Sequence, residues 1–296
     1  MINFLKYKYL YFIISGIVIV PGLISLVLWG LKPAIDFTGG TVWELKFSKT
    51  VASTEVKKYF DDSKTGELVS LTVVKPDDLS LKLKPLTEER KTSITKELTA
   101  KFGAVTDVSF ETIGPLLGQE LITKTAAAII LAAFLIMAYI VYRFHDRLFG
   151  VAAIAAMLHD TLVILGVFSI LGHFFGIQVD TLYVTAVLTI LSFSTHDTVV
   201  VYDRIRELTR VMPGKSLPEL VNTALNETSV RSLNNSLTII FMLLALVILG
   251  GDTIRVFAIA LLVGTISGTY SSMFTASPIL VIWHEILTRQ KLARSK

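Results

Sequence analysis

The sequence has no cysteine in 296 residues, which excludes disulfide frameworks, thiol catalysis and cysteine-ligated metals. Charge is scarce too. Only 18% of the residues are Asp, Glu, Lys or Arg, against 52% hydrophobic residues, and a mean hydropathy of +0.64 points to a membrane rather than to water as the main solvent. The formal net charge of +4 is small, so the placement of charge along the chain carries more information than its sum.

Uncharged runs locate the membrane spans, because about 20 apolar residues rising 1.5 Å each cross a hydrocarbon core about 30 Å thick. Six runs qualify. The first covers residues 9–31, between Lys8 and Lys32, and the second covers 125–142, between Lys124 and Arg143. Residues 148–179 contain one acid, Asp160, and residues 181–202 contain one, Asp197; these are spans three and four. Span five fills 232–251, and span six begins after Arg255 and runs to about Trp283. The first run follows Lys6 and Lys8 as a secretion signal would. Its 23 residues, and the lack of a clear small-x-small cleavage site before Asp36, favour an uncleaved anchor.

Lysine and arginine in short loops mark the cytoplasmic side. One set of short segments carries Lys6, Lys8, Arg143, Arg147, Arg204, Arg206, Arg210, Lys215, Arg231, Arg289, Lys291, Arg294 and Lys296, whereas the opposite set carries Arg255 alone. Both termini are therefore expected in the cytoplasm. The expected organisation is a cytoplasmic N-terminus and first transmembrane helix over 1–32, an extracytoplasmic domain over 33–124, a five-helix transmembrane bundle over 125–283 and a cytoplasmic basic tail over 284–296.

Within 33–124, Thr41 to Phe47 alternates as a strand, Thr54 to Phe60 suits a short helix, and Glu67 to Val74 and Leu79 to Leu83 form two further strands. Thr87 to Phe102 predicts a longer amphipathic helix opened by Thr87 and Arg90, and Val105 to Phe110 alternates again. The order β-α-β-β-α-β is that of the ferredoxin-like sandwich. Basic and acidic residues nearly balance in this domain, which leaves no footprint for nucleic acid or anionic lipid. Gly39 and Gly40, within Asp36-Phe37-Thr38-Gly39-Gly40-Thr41, join the first span to the first strand and predict a turn that needs positive φ.

The sharpest chemical signals lie inside the membrane, where an aspartate near the helix centre costs about 2.5 to 3.5 kcal/mol on insertion scales. Asp197 sits in Ser192-Phe193-Ser194-Thr195-His196-Asp197-Thr198, and Asp160 follows His159 near mid-depth of span three. Arg231 stands at the start of span five among Asn226, Thr228, Ser229, Asn234, Asn235 and Ser236, with a side chain long enough to reach toward Asp197. Asp and His can exchange protons in a bundle interior, and Arg favours the charged aspartate. That combination suits a proton relay of Asp197, Arg231, His196 and Asp160, against a purely structural pairing of charges across the bundle.

Other chemistries fit less well. Tyr202-Asp203 has the look of half an intramembrane aspartyl protease site, but no Gly-x-Gly-Asp partner exists, so no enzyme activity is expected. His159-Asp160 and His196-Asp197 are adjacent pairs pointing about 100° apart on a helix, whereas metal ligands favour i, i+4 spacing, so no metal site is expected. Gly214-Lys215-Ser216 mimics the end of a phosphate-binding loop, but Thr209 occupies the place of the required glycine. Gly264 and Gly268, with Ser267 and Ser271, offer a close helix-packing face at GxxxG spacing, for a partner subunit's helix or for packing within this chain, and the motif by itself does not choose between them.

Taken in order, Ile35-Asp36-Phe37-Thr38-Gly39-Gly40-Thr41, Ile113-Gly114-Pro115 with Gly118 and Glu120-Leu121, Leu158-His159-Asp160, and Asp197-Thr198-Val199-Val200-Val201-Tyr202-Asp203-Arg204-Ile205-Arg206-Glu207 carry a resemblance. So do Thr228 to Ser232, Gly250-Gly251, Arg255-Val256-Phe257-Ala258 and Gly268-Thr269-Tyr270-Ser271-Ser272. The sequence resembles the SecF family, the smaller subunits of the SecDF accessory complex of the bacterial Sec translocase, within the RND superfamily. The resemblance implies a polytopic α-helical protein of the bacterial cytoplasmic membrane, its six transmembrane helices forming one half of an RND-type bundle. A small extracytoplasmic α+β ferredoxin-like domain stands between helices one and two. It implies a SecD-like partner supplying the other half. Further implied partners are SecYEG, with YajC and YidC, unfolded preprotein and membrane lipid.

The family uses protons as coupling ion, with no other cofactor, to promote late steps of protein export; the proton-passage residues fall on Asp197 and Arg231. His196 stands where the family usually has asparagine, and Ser192-Phe193-Ser194 where it has Gly-Tyr-Ser. A structural or assembly subunit without proton transport, and half of a small-molecule RND exporter, are the alternative readings.

Overall fold

A computed structural model describes residues 2–63, 68–144 and 147–294. Glu67, expected to open the second strand, and Lys296 of the basic tail lie outside the described residues. In chain order the elements are α1 (Lys8–Trp29), α2 (Ile35–Thr38), β1 (Gly40–Phe47), α3 (Ser53–Ser63), β2 (Leu68–Lys75), β3 (Asp78–Leu83), α4 (Glu88–Phe102), β4 (Val105–Ile113) and α5 (Pro115–Phe144). Then follow α6 (Arg147–Phe175), α7 (Thr181–Val211), α8 (Leu217–Leu249), α9 (Asp252–Ser271), a π-helical segment (Ser272–Ala276) and α10 (Ser277–Arg294). Residues up to 32 together with 127 onward form one compact unit, and residues 33–126 form another.

The smaller unit is a four-stranded antiparallel sheet in the order β2-β3-β1-β4. That order follows from β-α-β-β-α-β connectivity, which leaves β3 between the parallel β1 and β2. Alternation aims Trp43, Leu45 and Phe47 of β1 and Leu79, Leu81 and Leu83 of β3 into one core, closed by Val56 and Phe60 of α3 and Ile94 and Leu98 of α4. Thr87 caps α4 by accepting from the Arg90 amide at 3.4 Å, and Gly103 ends it at φ 90°. The strand predicted to end at Phe110 continues to Ile113, because Thr112 pairs with Thr41 and their hydroxyls meet at 2.9 Å.

Gly39 and Gly40 both take positive φ, 68° and 133°, a region that side chains resist. The turn is also tightly enclosed. A Cβ on Gly40 would stand 3.0 Å from the Leu83 carbonyl, and one on Gly118 would stand 2.9 Å from the carbonyl of Phe37. The segment from Asp36 to Gly40 is thus seated between the end of β3 and the start of α5.

Six helices are long and apolar enough to cross a membrane among the described residues: Phe4–Trp29, Leu116–Phe144, Leu148–Phe175, Thr181–Val211, Leu217–Leu249 and Ile254–Gln290. The last combines α9, the π-helical segment and α10. The second, fourth and fifth of these helices extend well beyond their uncharged runs, with charged residues continuing the helix at Glu120, at Asp203 to Arg210 and at Glu219 to Arg231. Asp180 caps α7 by accepting from the Tyr183 amide at 2.7 Å. Ser216 opens α8 in a reciprocal capping box with Glu219, so the Gly214-Lys215-Ser216 string forms a turn and a helix start.

Small residues set the closest helix contacts. Gly22 of α1 faces Gly166 of α6, where a Cβ on either would fall within 2.8 Å of the other's Cα. Across α9, a Cβ on Gly264 would collide with the Ile190 side chain, and one on Gly268 would touch Ser194 at 3.4 Å. The GxxxG face therefore packs on α7 of the same chain, the within-chain one of the two placements that the spacing allows. Its fit is to Ile190, a bulky branched residue that a glycine on the facing helix accommodates.

Candidate functional site

Asp160 is fully buried in α6, and its oxygens are surrounded by donors from three helices. Oδ1 accepts from Ser267 Oγ at 2.5 Å and lies 3.0 Å from His159 Nδ1; Oδ2 accepts from Ser194 Oγ at 2.5 Å and from Ser271 Oγ at 2.6 Å. Ser267 and Ser271 recur at i, i+4 and so share one face of α9, the face that the glycines let approach α7. A buried carboxylate needs such partners, because an unpaired one is excluded from a low-dielectric interior. His159 and Asp160 were expected to diverge as neighbours on a helix. The imidazole instead turns back along α6 so that Nδ1 meets the carboxylate, while Nε2 meets Ser15 Oγ of α1 at 3.0 Å.

Asp197, near the middle of α7, has quite different surroundings. Its side chain retains 15% of its exposure, against 0% for Asp160. Oδ2 accepts from Ser232 Oγ of α8 at 3.1 Å, and Oδ1 lies 3.9 Å from Nδ1 of His196, whose ring is 70% exposed. Arg231 does not reach Asp197 among the described contacts; its side chain is exposed on the outer face of α8, while Ser232, its neighbour, faces inward. Consecutive helical residues point about 100° apart, and burial of Ser229, Ser232 and Ser236 fixes which side of α8 faces the bundle. The exposed residues Arg231, Asn234, Asn235 and Thr238 recur at i, i+3, i+4 and i+7, so they form a polar stripe on one face.

Several polar residues near Arg231 have other duties. Asn226 Oδ1 accepts from the Ile2 amide at 2.8 Å while its Nδ2 donates to the Ile2 carbonyl at 2.7 Å, and Asn222 Oδ1 accepts from the Phe4 amide at 2.8 Å. The N-terminal segment is thereby tied to α8. Asp203 pairs with Arg143 at 3.1 Å, and Arg204 with Glu227 at 2.6 Å, joining α7 to α5 and α8. Sequence reasoning missed the serines as ligands of Asp160 and Asp197. Their available signal was hydroxyls at i, i+4 within otherwise apolar spans.

Six apolar helices, a ferredoxin-like domain between the first two and carboxylates held in the bundle interior define a polytopic membrane protein built as an RND-type half-bundle. The family model described as protein export membrane protein SecD/SecF, C-terminal, matches residues 93–286, and the SecD/SecF GG motif matches residues 24–51. A protein translocase subunit SecF from Thermobaculum terrenum is 40% identical, covering 96% of this chain and 94% of its own. One from Anaerolinea thermophila has the same identity and coverage. The crystal structure of SecDF from Thermus thermophilus, a translocon-associated membrane protein, matches with a TM-score of 0.83 at 32% identity, over 96% of this chain and 39% of that one. The chain belongs to the SecD/SecF family of protein export membrane proteins, on its SecF branch.

Proposed function

We propose that the protein is the SecF-type half of a two-part export complex in the bacterial cytoplasmic membrane, using proton flow to promote late steps of preprotein translocation. The observation that carries this reading is the unfinished site on α7 and α8. Among the described residues Asp197 meets the Ser232 hydroxyl and His196, while Arg231 and its polar stripe face away from the chain. An exposed arginine flanked by asparagines at the membrane edge calls for a polar partner surface, and a SecD-like subunit supplies it. The relation to SecDF, in which this chain matches 39% of a longer chain, supports that partner.

In this reading Asp197 takes up and releases a proton, Arg231 and the partner's groups bias its charge, and His196 faces the entry to the site. Asp160 is the second carboxylate of the bundle. Residues 33–124 stand outside the membrane and both termini inside, as the lysine and arginine bias requires. SecYEG, YajC, YidC and the emerging preprotein are the further partners that family membership suggests, and lipid surrounds the bundle.

Asp197→Asn keeps size and polarity but removes the exchangeable charge. It is expected to abolish the gradient-dependent part of translocation into membrane vesicles while leaving ATP-driven translocation and assembly with the SecD-like subunit intact. A variant that still responds to an uncoupler as the wild type does would make the chain a structural subunit.

A further inference from the structure

Where α5 ends at Phe144 and α7 ends at Val211, a groove of about 350 Å³ opens, lined by Arg143, Asp203, Arg206, Glu207, Arg210 and Val211. It brings three guanidiniums together with two carboxylates, and both carboxylates are already engaged. Asp203 Oδ2 accepts from Arg143 at 3.1 Å. Glu207 pairs with Arg204 at 2.5 Å, and Arg204 in turn reaches Glu227.

That leaves Arg206 and Arg210. Arg206 Nη1 donates to the Arg143 carbonyl at 3.4 Å and so serves the end of α5. Among the described residues neither arginine has a carboxylate partner. A guanidinium carries five N–H donors in a fixed fork, so most of the donors of this pair are unused. The two recur at i, i+4 on α7 and share one face, with Arg206 half-buried and Arg210 exposed. The negative end of a helix dipole favours a cation in the last turn, but it calls neither for a groove nor for two forks on one face.

The groove lies at the depth where hydrocarbon gives way to headgroups. Two apolar spans, Leu116–Phe144 and Thr181–Val211, end beside it. Along α5 the side chains of Phe134, Leu135, Tyr139 and Tyr142 are exposed, so acyl chains reach the groove along that helix. Arg206 and Arg210 follow Asp203, the residue that closes the fourth uncharged run, by about 4 and 11 Å along the helix axis. The headgroup layer is about 5 to 8 Å thick on each side of the hydrocarbon, and the two guanidiniums straddle it.

We infer that this groove binds the phosphate of an anionic phospholipid, with Arg206 and Arg210 donating to its oxygens and the acyl chains lying along α5. Paired N–H donors of a guanidinium match the oxygens of a phosphate. The surplus charge of the groove is positive, so a headgroup carrying its own ammonium is disfavoured against an anionic one. The exposed Val211 side chain and the apolar flank of α5 favour a phosphate that brings hydrocarbon with it over one free in solution. A bound lipid ties the end of α5, which packs on the bundle core through Ile140 and Phe144, to the end of α7. The inference requires that the chain lie in a membrane; nothing in it depends on Asp197 exchanging protons.

The test is native mass spectrometry of the full chain with its SecD-like subunit in mild detergent, titrated with phosphatidylglycerol, phosphatidylcholine or inorganic phosphate. The tightest phosphatidylglycerol binding is expected to weaken about fivefold in Arg206→Gln and in Arg210→Gln, and further in the double variant. Arg289→Gln, which removes the same charge from the exposed end of α10, is expected to leave it unchanged. Arg210→Gln breaks no contact among the described residues, so it keeps the test valid if Arg206→Gln fails to fold. Undiminished binding in Arg210→Gln, or equal weakening in Arg289→Gln, overturns the site in favour of a diffuse basic surface. Phosphatidylcholine binding as tightly, or inorganic phosphate displacing the lipid, overturns the anionic-lipid assignment.

Discussion

Asp160 and Asp197 are both aspartates preceded by histidine on long apolar helices, yet their surroundings differ in kind. Asp160 has no exposure and is met by a histidine and three serines drawn from α6, α7 and α9. Asp197 keeps part of its surface open, with one serine hydroxyl and an exposed histidine beside it. The two lie close along the fold, because Ser194, a ligand of Asp160, stands one turn before Asp197 on α7. The same dipeptide thus serves a site completed within the chain and a site left open at its surface. What separates them is the number of helices that converge on the carboxylate, and no property of the dipeptide itself.

The largest expected effect comes from deleting the closed site. Asp160→Ala strands a histidine and three serine hydroxyls in the interior and is expected to destabilise the chain by about 3 to 5 kcal/mol, as removal of one partner from a buried charged pair does. Asp197→Ala removes one serine contact and is expected to cost only about 1 kcal/mol. Thermal unfolding of the two variants in the same detergent measures the difference. Equal destabilisation would break the comparison.

A second effect sharpens it. Gly166→Leu drives a side chain into the backbone of α1 at Gly22, on the same α1–α6 contact that carries Ser15 to His159. The expected loss is about 1 to 3 kcal/mol from overpacking, read as a lower unfolding temperature, and it should leave the Asp197 side untouched in labelling experiments. His196→Asn gives the smallest effect. The ring is largely exposed, so stability should change by less than about 0.5 kcal/mol, with translocation activity retained. A loss of activity there would give His196 an indispensable part in the open site.

Much of this was legible in the sequence for physical reasons that operate locally. Uncharged runs set the spans, alternation set the strands, and the cost of an intramembrane acid singled out Asp160 and Asp197. Partners across helices were not legible. Ser267 and Ser271 stand 107 and 111 residues from Asp160, and spacing shows only that they share a face of one helix, not which helix meets it. The same gap explains the GxxxG face, where two glycines announce close packing without naming Ile190 and Ser194 as its recipients. Arg231 is long enough to reach toward Asp197, but length alone does not set its direction. The burial of Ser229, Ser232 and Ser236 rotates α8 so that the arginine looks outward.

The stripe of Arg231, Asn234, Asn235 and Thr238 bears most directly on whether the Asp197 site is completed by a second subunit. The chain has no cysteine, so Asn235→Cys gives a single reporter on that face, with Ser271→Cys as the enclosed counterpart beside Asp160. Thiol labelling in membranes, with and without the SecD-like subunit, measures both. The account predicts that the cysteine at position 235 labels readily in the chain alone and is protected when the subunit is present, while the one at position 271 stays unlabelled in both. Equal labelling at position 235 in the two membranes would contradict it.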